Sequence, residues 1–233
     1  MRYILLLFLL LSVPCAWAQP CNTTVRLIRT RQELAATIAA RPEARFVKLQ
    51  QVIPGIVTDL RYATTNNFTH TVLYKDPVAC MRREPAAALK KVQAELAAKG
   101  LGLKIYDAYR PFAVTCSLWR YTTDRRYTAN PKKGSHHNRG LAADLTIIDL
   151  RTGAELDMGT PFDNFTDTAH HGFQYLPEKV LANRRLLKNI MWKYGFNFVP
   201  TEWWHYHWRD KSYDVVDLSF ADMAALIQDK AGQ

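Results

Sequence analysis

The sequence predicts a single α+β domain with a small central, mostly antiparallel sheet flanked by helices. Segments of helical periodicity and short apolar or alternating segments follow one another without the regular strand–helix–strand order of a parallel α/β fold. No internal repeat or low-complexity linker divides the 233 residues. A chain of this length with 48% hydrophobic residues can build one substantial core.

The N-terminus has the pattern of an exported protein. Residues 1–18 combine the basic Arg2 with a short apolar block and a small-x-small ending at 16–18. This arrangement is typical of a secretory signal peptide, here cleaved after Ala18, and the apolar block is short for a transmembrane helix. We therefore predict a periplasmic or secreted protein without a transmembrane segment. A lipoprotein signal around Cys15 is the alternative, but a proline precedes that cysteine where a small residue is required.

Two parts follow the predicted signal peptide. Residues 19–45 form an N-terminal segment, in which Thr30 and Glu33 have the spacing of a capping box and predict a short helix over 31–40. Residues 46–233 form the main domain.

The main domain begins with a segment over 45–64 that predicts one or two strands, followed by a loop. A clear helix starts near Pro85 and ends at Gly100, with Leu89, Val92 and Leu96 on one face. The later predicted elements are a buried strand over 101–109, a helix after Pro111, a strand over 140–150, a helix between Pro177 and Gly195, an extended segment over 196–209 and a terminal helix over 219–230.

The formal net charge is +10. Lysines and arginines are spread along the chain, and the densest stretch lies at 123–133, which we call the basic loop. For an exported protein this distribution indicates a solvated basic surface, and we predict no nucleic-acid partner.

The cysteines permit one disulfide in an exported protein. Outside the signal peptide they are Cys21, Cys80 and Cys116. We predict a Cys80–Cys116 bond, because Cys21 belongs to the N-terminal tail. No pair has CxxC spacing, so no sulfur ligand to a metal is expected.

Six of the seven histidines form three tight groups. In the stretch 134–147, GSHHNRGLAADLTI, His137 precedes a predicted strand on which Asp144 is a charged residue among mostly apolar ones. Burying a carboxylate is costly unless it is paired or bound to a metal. A catalytic zinc site needs three protein ligands, so these two residues require a third from elsewhere.

The stretch PTEWWHYHW, residues 200–208, is the obvious source of that ligand, but spacing does not settle which residue it is. On a regular strand His205 and His207 share a face, whereas on a helix Glu202 and His205 do. Pro200 and the aromatic content favour the strand, and with it His207 over Glu202.

Two motifs resemble the zinc D,D-peptidases that include the VanX-type D-alanyl-D-alanine dipeptidases. SHHNRGLAAD at 135–144 is similar to their SxHxxGxAxD signature, and EWWH at 202–205 is similar to their ExxH motif. Three accessory stretches also resemble the dipeptidase branch: YDAYRP at 106–111, DLRYATTNNFT at 59–69 and DMGTPFD at 157–163.

The resemblance implies a zinc site on the sheet with His137, Asp144 and His205 as ligands. Glu202 would be the general base, which requires an irregular backbone between it and His205. Arg110 would lie near the scissile carbonyl. The main domain would then be the catalytic domain, with one zinc ion per chain.

The resemblance also implies how the substrate is held. Ser135 would bind the carboxylate of the dipeptide, while Asp163 and Tyr62 would face its ammonium group. The implied reaction is zinc-dependent hydrolysis of D-Ala-D-Ala to two D-alanines in cell-wall dipeptide turnover. The alternatives are a D,D-carboxypeptidase that trims peptidoglycan stem peptides and a non-catalytic zinc- or wall-binding module.

Other residues of these motifs have structural interpretations. We expect Trp203 and Trp204 to belong to the core, Asp107 to be a buried hydrogen-bonding anchor and His207 to be structural. His136 would not be a ligand. The pair His170–His171 receives no role from the sequence.

Overall fold

A computed structural model describes residues 21–209 and 213–228. The predicted signal peptide lies outside these ranges. Among the residues inside them, no helix is long and apolar enough to cross a membrane.

In the described ranges, strands and helices are mixed along the chain, as predicted. The strands are β1 (Leu27–Ile28), β2 (Phe46–Lys48), β3 (Val57–Thr58), β4 (Cys80–Arg82), β5 (Leu101–Asp107), β6 (Ala142–Asp149), β7 (Phe196–Phe198), β8 (His205–Trp208) and β9 (Val215–Val216). The α-helices are α1 (Arg31–Ala40), α2 (Leu49–Val52), α3 (Arg83–Ala97), α4 (Phe112–Tyr121), α5 (Glu178–Lys193) and α6 (Phe220–Gln228).

The central sheet has five strands in the order β3-β5-β6-β8-β7. Strand β3 pairs parallel with β5, and the other three pairings are antiparallel. Two small two-stranded sheets, β1-β9 and β2-β4, lie outside it. The predicted α+β class with a mostly antiparallel sheet is therefore confirmed.

Helix α1 forms where the capping box predicts it. The Oγ1 of Thr30 accepts a hydrogen bond from the backbone N–H of Glu33 at 3.1 Å, and the Glu33 carboxylate accepts one from the N–H of Thr30 at 2.9 Å. The box satisfies amide donors that the first helical turn would otherwise leave unpaired. Leu34 and Ile38 point inward and join a cluster of buried side chains with Phe46.

The main core lies between the sheet and helices α3 and α5. Leu89, Val92 and Leu96 of α3 are fully buried, as their spacing predicts, against apolar side chains of β5 and β6 such as Leu145 and Ile147. Burying each such side chain contributes about 1.5–3 kcal/mol. This packing fixes the back of the sheet, so the ends of its strands can hold polar groups in defined positions.

The disulfide prediction is wrong. Cys116 on α4 pairs with Cys21, with 5.8 Å between their Cα atoms, and Cys80 is a buried free thiol. Cys80 lies in β4, within the cluster that contains Phe46. Cys21 packs beside Cys116 in a separate cluster, so the N-terminal segment is held against α4.

Loss of the Cys21–Cys116 bond should destabilise the protein. The bond closes a loop with a sequence separation of 95 residues, and cross-links over such loops typically contribute about 2–5 kcal/mol. We expect Cys116→Ser to lower the midpoint of thermal unfolding, and reduction to have no further effect on this variant. Cys80→Ala is the control, and it should remain sensitive to reduction. A reduction-insensitive Cys80→Ala would contradict the observed pairing.

His171 should make stability depend on pH. Its ring lies against Phe198 and Tyr206, and burial lowers the pKa of His171 to about 3. Between that pH and the ordinary value near 6.5, the unfolded chain binds a proton at this site that the folded chain does not. The free energy of unfolding should therefore fall as the pH is lowered through this window, by up to about 1.4 kcal/mol per unit.

Denaturant titrations at several pH values test this. His171→Phe should flatten the slope of unfolding free energy against pH, whereas substitution of the exposed His70 by glutamine should not. Equal slopes for the native protein and His171→Phe would refute the assignment.

Candidate active site

Three polar residues form a row across adjacent strands at one end of the sheet. Asp107 ends β5 and is the register partner of Asp144 on β6, which is itself opposite His205 on β8. Side chains of directly opposed residues project from the same face of a sheet, so the three groups meet. A register shift between Ile105 and Asp107 brings Asp107 into the row.

His137 reaches the row from the one-turn 3₁₀ helix that precedes β6. Gly140 closes this turn with φ 71°, and a Cβ there would lie 2.2 Å from the ring of Phe46, so only glycine fits. The Nδ1–H of His137 donates to the carbonyl of Ala108 at 2.7 Å. This bond fixes the ring in an orientation in which Nε2 faces the row.

The donor atoms of the three predicted ligands converge. The Nε2 of His137 lies 3.2 Å from the Nδ1 of His205 and 3.3 Å from the Oδ1 of Asp144. The Nδ1 of His205 and the Oδ1 of Asp144 are 2.9 Å apart. Donors around one tetrahedral zinc at about 2.0–2.2 Å would be roughly 3.3–3.6 Å apart, so a small shift accommodates the ion. Two imidazoles and a carboxylate are also ligand types that zinc prefers.

The electrostatics of this group suit metal binding. Burial acts to raise the pKa of Asp144, but the imidazoles of His137 and His205 outweigh it and hold that pKa well below its usual range. Burial lowers the pKa of His205. An ionised Asp144 and a neutral His205 are the protonation states in which these two side chains bind a metal.

Glu202 lies in a turn rather than on a strand. Its carbonyl accepts from the N–H of His205 at 3.4 Å, and the N–H of Trp203 donates to the carbonyl of Ala169 at 3.2 Å. The irregular backbone expected between Glu202 and His205 is confirmed, and the continuous extended segment predicted over 196–209 is broken here. The turn brings the Glu202 carboxylate to 4.0 Å from the Nδ1 of His205.

Burial, reinforced by two nearby carboxylates, raises the pKa of Glu202 well above its usual range. The carboxylates are those of Asp144 and Asp163. A carboxyl group with a raised pKa takes up a proton more readily than an exposed one does, which favours a general acid–base role.

His207, the residue that strand spacing favoured as a ligand, lies outside the converging group. It is opposite Ala142, two residues along β8 from the Asp144–His205 pair, and its ring stacks on His136 at 4.2 Å. His136, His205 and His207 form a second group of described side chains whose nitrogen atoms could hold an ion. Unlike the first, it contains no carboxylate and is only partly buried.

Arg110 is held rigidly beside the converging group. Its Nε donates to Asp107 at 2.7 Å, and its Nη2 lies 3.7 Å from the Oδ2 of Asp144. Asp107 also accepts from the hydroxyl of Tyr74 at 3.0 Å and is fully buried, so it is the expected anchor. Burial acts to lower the pKa of Arg110. The nearby Asp107, Tyr62 and Asp144 outweigh that effect, so the pKa is raised and the guanidinium stays charged.

Asp163 and Tyr62 meet although 101 positions separate them. The hydroxyl of Tyr62 donates to the Oδ1 of Asp163 at 3.1 Å. The Oδ2 of Asp163 is shielded from solvent and has no hydrogen-bond partner among the residues that the structure describes. The φ of 59° at Asp163 places it in the left-handed region, which is uncommon for a residue with a side chain. Burial, together with Asp144, raises the pKa of Asp163 well above its usual range.

Ser135 is part of the same site. Its Oγ accepts from the N–H of His137 at 3.2 Å, and its own N–H donates to Asn138 at 2.9 Å. All of the predicted site residues line one cavity of about 300 Å³, which is the size of a small-molecule site. They are Tyr62, Arg110, Ser135, His137, Asp144, Asp163, Glu202 and His205.

The sequence did not reveal every residue of this site. Asn138, inside the SHHNRG stretch, donates to the carbonyl of Arg110 at 2.8 Å and ties the two motifs together. Tyr127 of the basic loop lines the cavity, and its hydroxyl pairs with His170 at 2.8 Å. The sequence singled out this loop only by its high density of lysines and arginines. Trp203 and Trp204 are 2% and 1% exposed and belong to the core, as expected, although Trp204 also borders the cavity.

Comparisons with known proteins identify the family of this chain. Residues 42–223 match the peptidase M15 family, described as D-Ala-D-Ala dipeptidase. The chain belongs to this family. The resemblance that the two motifs indicated is therefore confirmed.

Individual relatives match over most of their length. The chain is 36% identical to a D-alanyl-D-alanine dipeptidase of Escherichia coli over 160 residues, which are 69% of this chain and 82% of the relative. It is 33% identical to an enzyme of the same name from Enterococcus faecalis, with 77% and 98% of the two chains covered. For the enzyme of Enterococcus faecium the identity is 34%, with 73% and 95% covered.

Metal analysis of variants tests the proposed ligand group. We expect the purified protein to bind one zinc ion per chain and His137→Ala to lose it, because removing one of three ligands typically leaves a weak site. Glu202→Ala and His207→Ala should retain zinc at the level of the native protein. Loss of zinc from His207→Ala, with retention in His137→Ala, would show that the second histidine group is the site.

Proposed function

We propose that this family member is an exported zinc dipeptidase that hydrolyses D-Ala-D-Ala to two D-alanines. One observation carries the proposal: the His137–Asp144–His205 group shares a small cavity with the carboxylate of Glu202 and the guanidinium of Arg110. These are the parts that metal-assisted hydrolysis of a peptide bond requires.

Zinc bound by His137, Asp144 and His205 would polarise the scissile carbonyl and lower the pKa of a water molecule toward ~7. Glu202 accepts the proton of the attacking water and later delivers it to the departing amine. Its largely buried position and raised pKa support both roles.

Arg110 stabilises the negative charge that develops on the carbonyl oxygen. Its bond to Asp107 holds the guanidinium in place, so little reorganisation is needed during the reaction. Arginine suits this role because it remains protonated at every working pH.

The cavity also offers a site for each end of a dipeptide. Asp163 lines it with a shielded carboxylate oxygen that lacks a donor among the described residues, and such an oxygen costs free energy until a donor reaches it. An ammonium group is that donor. Ser135 is the proposed partner of the substrate carboxylate.

The shielded Asp163 carboxyl group favours a dipeptidase over a D,D-carboxypeptidase, because a stem peptide presents a neutral amide where the dipeptide presents an ammonium group, and only the ammonium group carries a charge opposite to that of a carboxylate. A non-catalytic zinc- or wall-binding module would need neither Glu202 nor Arg110 beside its metal group. We therefore rank both alternatives below the dipeptidase.

Two features support export. The sequence of residues 1–18 has the pattern of a cleaved signal peptide. The Cys21–Cys116 disulfide suits an oxidising compartment such as the periplasm. An exported dipeptidase meets dipeptide outside the cytoplasm, so we propose a role in cell-wall dipeptide turnover or recycling.

Paired substrates test the proposed function. The zinc-loaded protein should release D-alanine from D-Ala-D-Ala and barely act on an N-acylated stem peptide that ends in D-Ala-D-Ala. Glu202→Ala, which should still bind zinc, should lower kcat on the dipeptide by about 10²–10⁴-fold. Comparable rates on both substrates would identify a D,D-carboxypeptidase. Zinc binding without turnover of either substrate would indicate the non-catalytic binding module.

A further inference from the structure

A continuous row of aromatic rings, which we call the aromatic wall, starts near Asp163 and lines the cavity. We define it by the rings of Phe68, Phe165 and Tyr127. Phe68 meets the edge of Tyr62 with 6.5 Å between ring centroids, and Phe68 and Phe165 are 4.8 Å apart. Phe165 stacks on Tyr127 at 5.0 Å with an interplanar angle of 20°. All three rings line the cavity, and Phe165 is two residues beyond Asp163.

The outer end of the wall is fastened across two loops. The hydroxyl of Tyr127 pairs with the Nε2 of His170 at 2.8 Å. Arg126 contacts Asp167 at 3.2 Å and Asp124 at 2.7 Å, and its guanidinium lies over the Tyr127 ring at 5.2 Å. These contacts join the basic loop to the segment 164–171.

The segment 164–171 is anchored to the rest of the domain. Arg184, buried on α5, donates to the carbonyls of Thr168 at 2.9 Å and His170 at 3.2 Å. Ala169 accepts from the N–H of Trp203, in the turn that carries Glu202. Phe165 therefore belongs to a fixed segment, whereas Tyr127 is added to the wall by the basic loop through side-chain contacts.

We propose that this wall is the steric stop that limits the substrate at its amino end, and that the basic loop serves to complete it. This inference rests on the proposed dipeptidase function. An ammonium group bound at Asp163 lies next to the wall, so a residue added before it would have to occupy the space of the Phe165 and Tyr127 rings. Selection of a dipeptide then has a steric component in addition to the charge of Asp163.

The test uses two peptides that both carry free ammonium groups, D-Ala-D-Ala and L-Lys-D-Ala-D-Ala. The readout is the ratio of kcat/KM for the tripeptide to that for the dipeptide, with KM and kcat reported separately. Tyr127→Ala should raise the ratio at least about tenfold, mainly by lowering the KM of the tripeptide, because relief of a steric clash improves binding of the longer substrate.

Arg126 and Arg125 give a matched pair of neighbouring variants. Arg126→Ala removes the contact with Asp167 and should raise the ratio, though by less than Tyr127→Ala. Arg125 lies over Trp119 at 3.9 Å and does not line the cavity, so Arg125→Ala should leave the ratio unchanged. A folded Tyr127→Ala protein with the native ratio would overturn the inference. If Tyr127→Ala fails to fold, equal ratios in Arg126→Ala and Arg125→Ala would overturn it.

Binding measurements on a variant without turnover test the steric role of the wall separately from the proposed activity. Failure of the native protein to cleave D-Ala-D-Ala would refute the proposed dipeptidase function, independently of any steric role of the wall. Calorimetric titration of both peptides into zinc-loaded Glu202→Ala, with and without Tyr127→Ala, measures the steric effect without turnover. A gain in tripeptide affinity confined to the double variant supports the wall, and equal affinities with and without Tyr127 refute it.

Discussion

The site depends on the burial of the Asp144 carboxylate at the end of an apolar sheet. Left alone, a buried carboxylate would cost several kcal/mol or take up a proton. Here His137 and His205 approach it to 3.3 and 2.9 Å, and Arg110 lies 3.7 Å from its other oxygen. Asp107, one strand further along, holds Arg110 in place. These compensating groups are also the ones from which the proposed catalyst is built.

The surrounding structure keeps this arrangement rigid. Helices α3 and α5 bury the back of the sheet, so the register that aligns β5, β6 and β8 cannot slip without exposing apolar side chains. Arg184 holds the segment 164–171 against α5 through its hydrogen bonds to the carbonyls of Thr168 and His170. The strands β5, β6 and β8 and the segment 164–171 are therefore all held by buried side chains of the same domain.

Elements with a strong local signal were predictable. The capping box located helix α1 over its observed residues, and apolar spacing identified α3 and its buried face. The Cys80–Cys116 pairing failed because disulfides depend on which surfaces meet, and the N-terminal segment packs on α4 rather than remaining apart. The aromatic wall was not predicted for a similar reason. Tyr127 and Phe165 belong to two loops, and a contact between loops leaves no periodic pattern in the sequence.

The sequence by itself determined the chemical content of the site and, through the order of its motifs, the family. It also determined that Asp144 and its neighbours lie on a strand. Strand spacing favoured His207 and the family motif implied His205; the tertiary structure places His205 with them, because the backbone turns at 201–204 and β8 starts only at His205. Antiparallel register then sets His205 opposite Asp144 and His207 opposite Ala142. Spacing along a chain cannot convey that choice, since it depends on which residues of a neighbouring strand lie opposite.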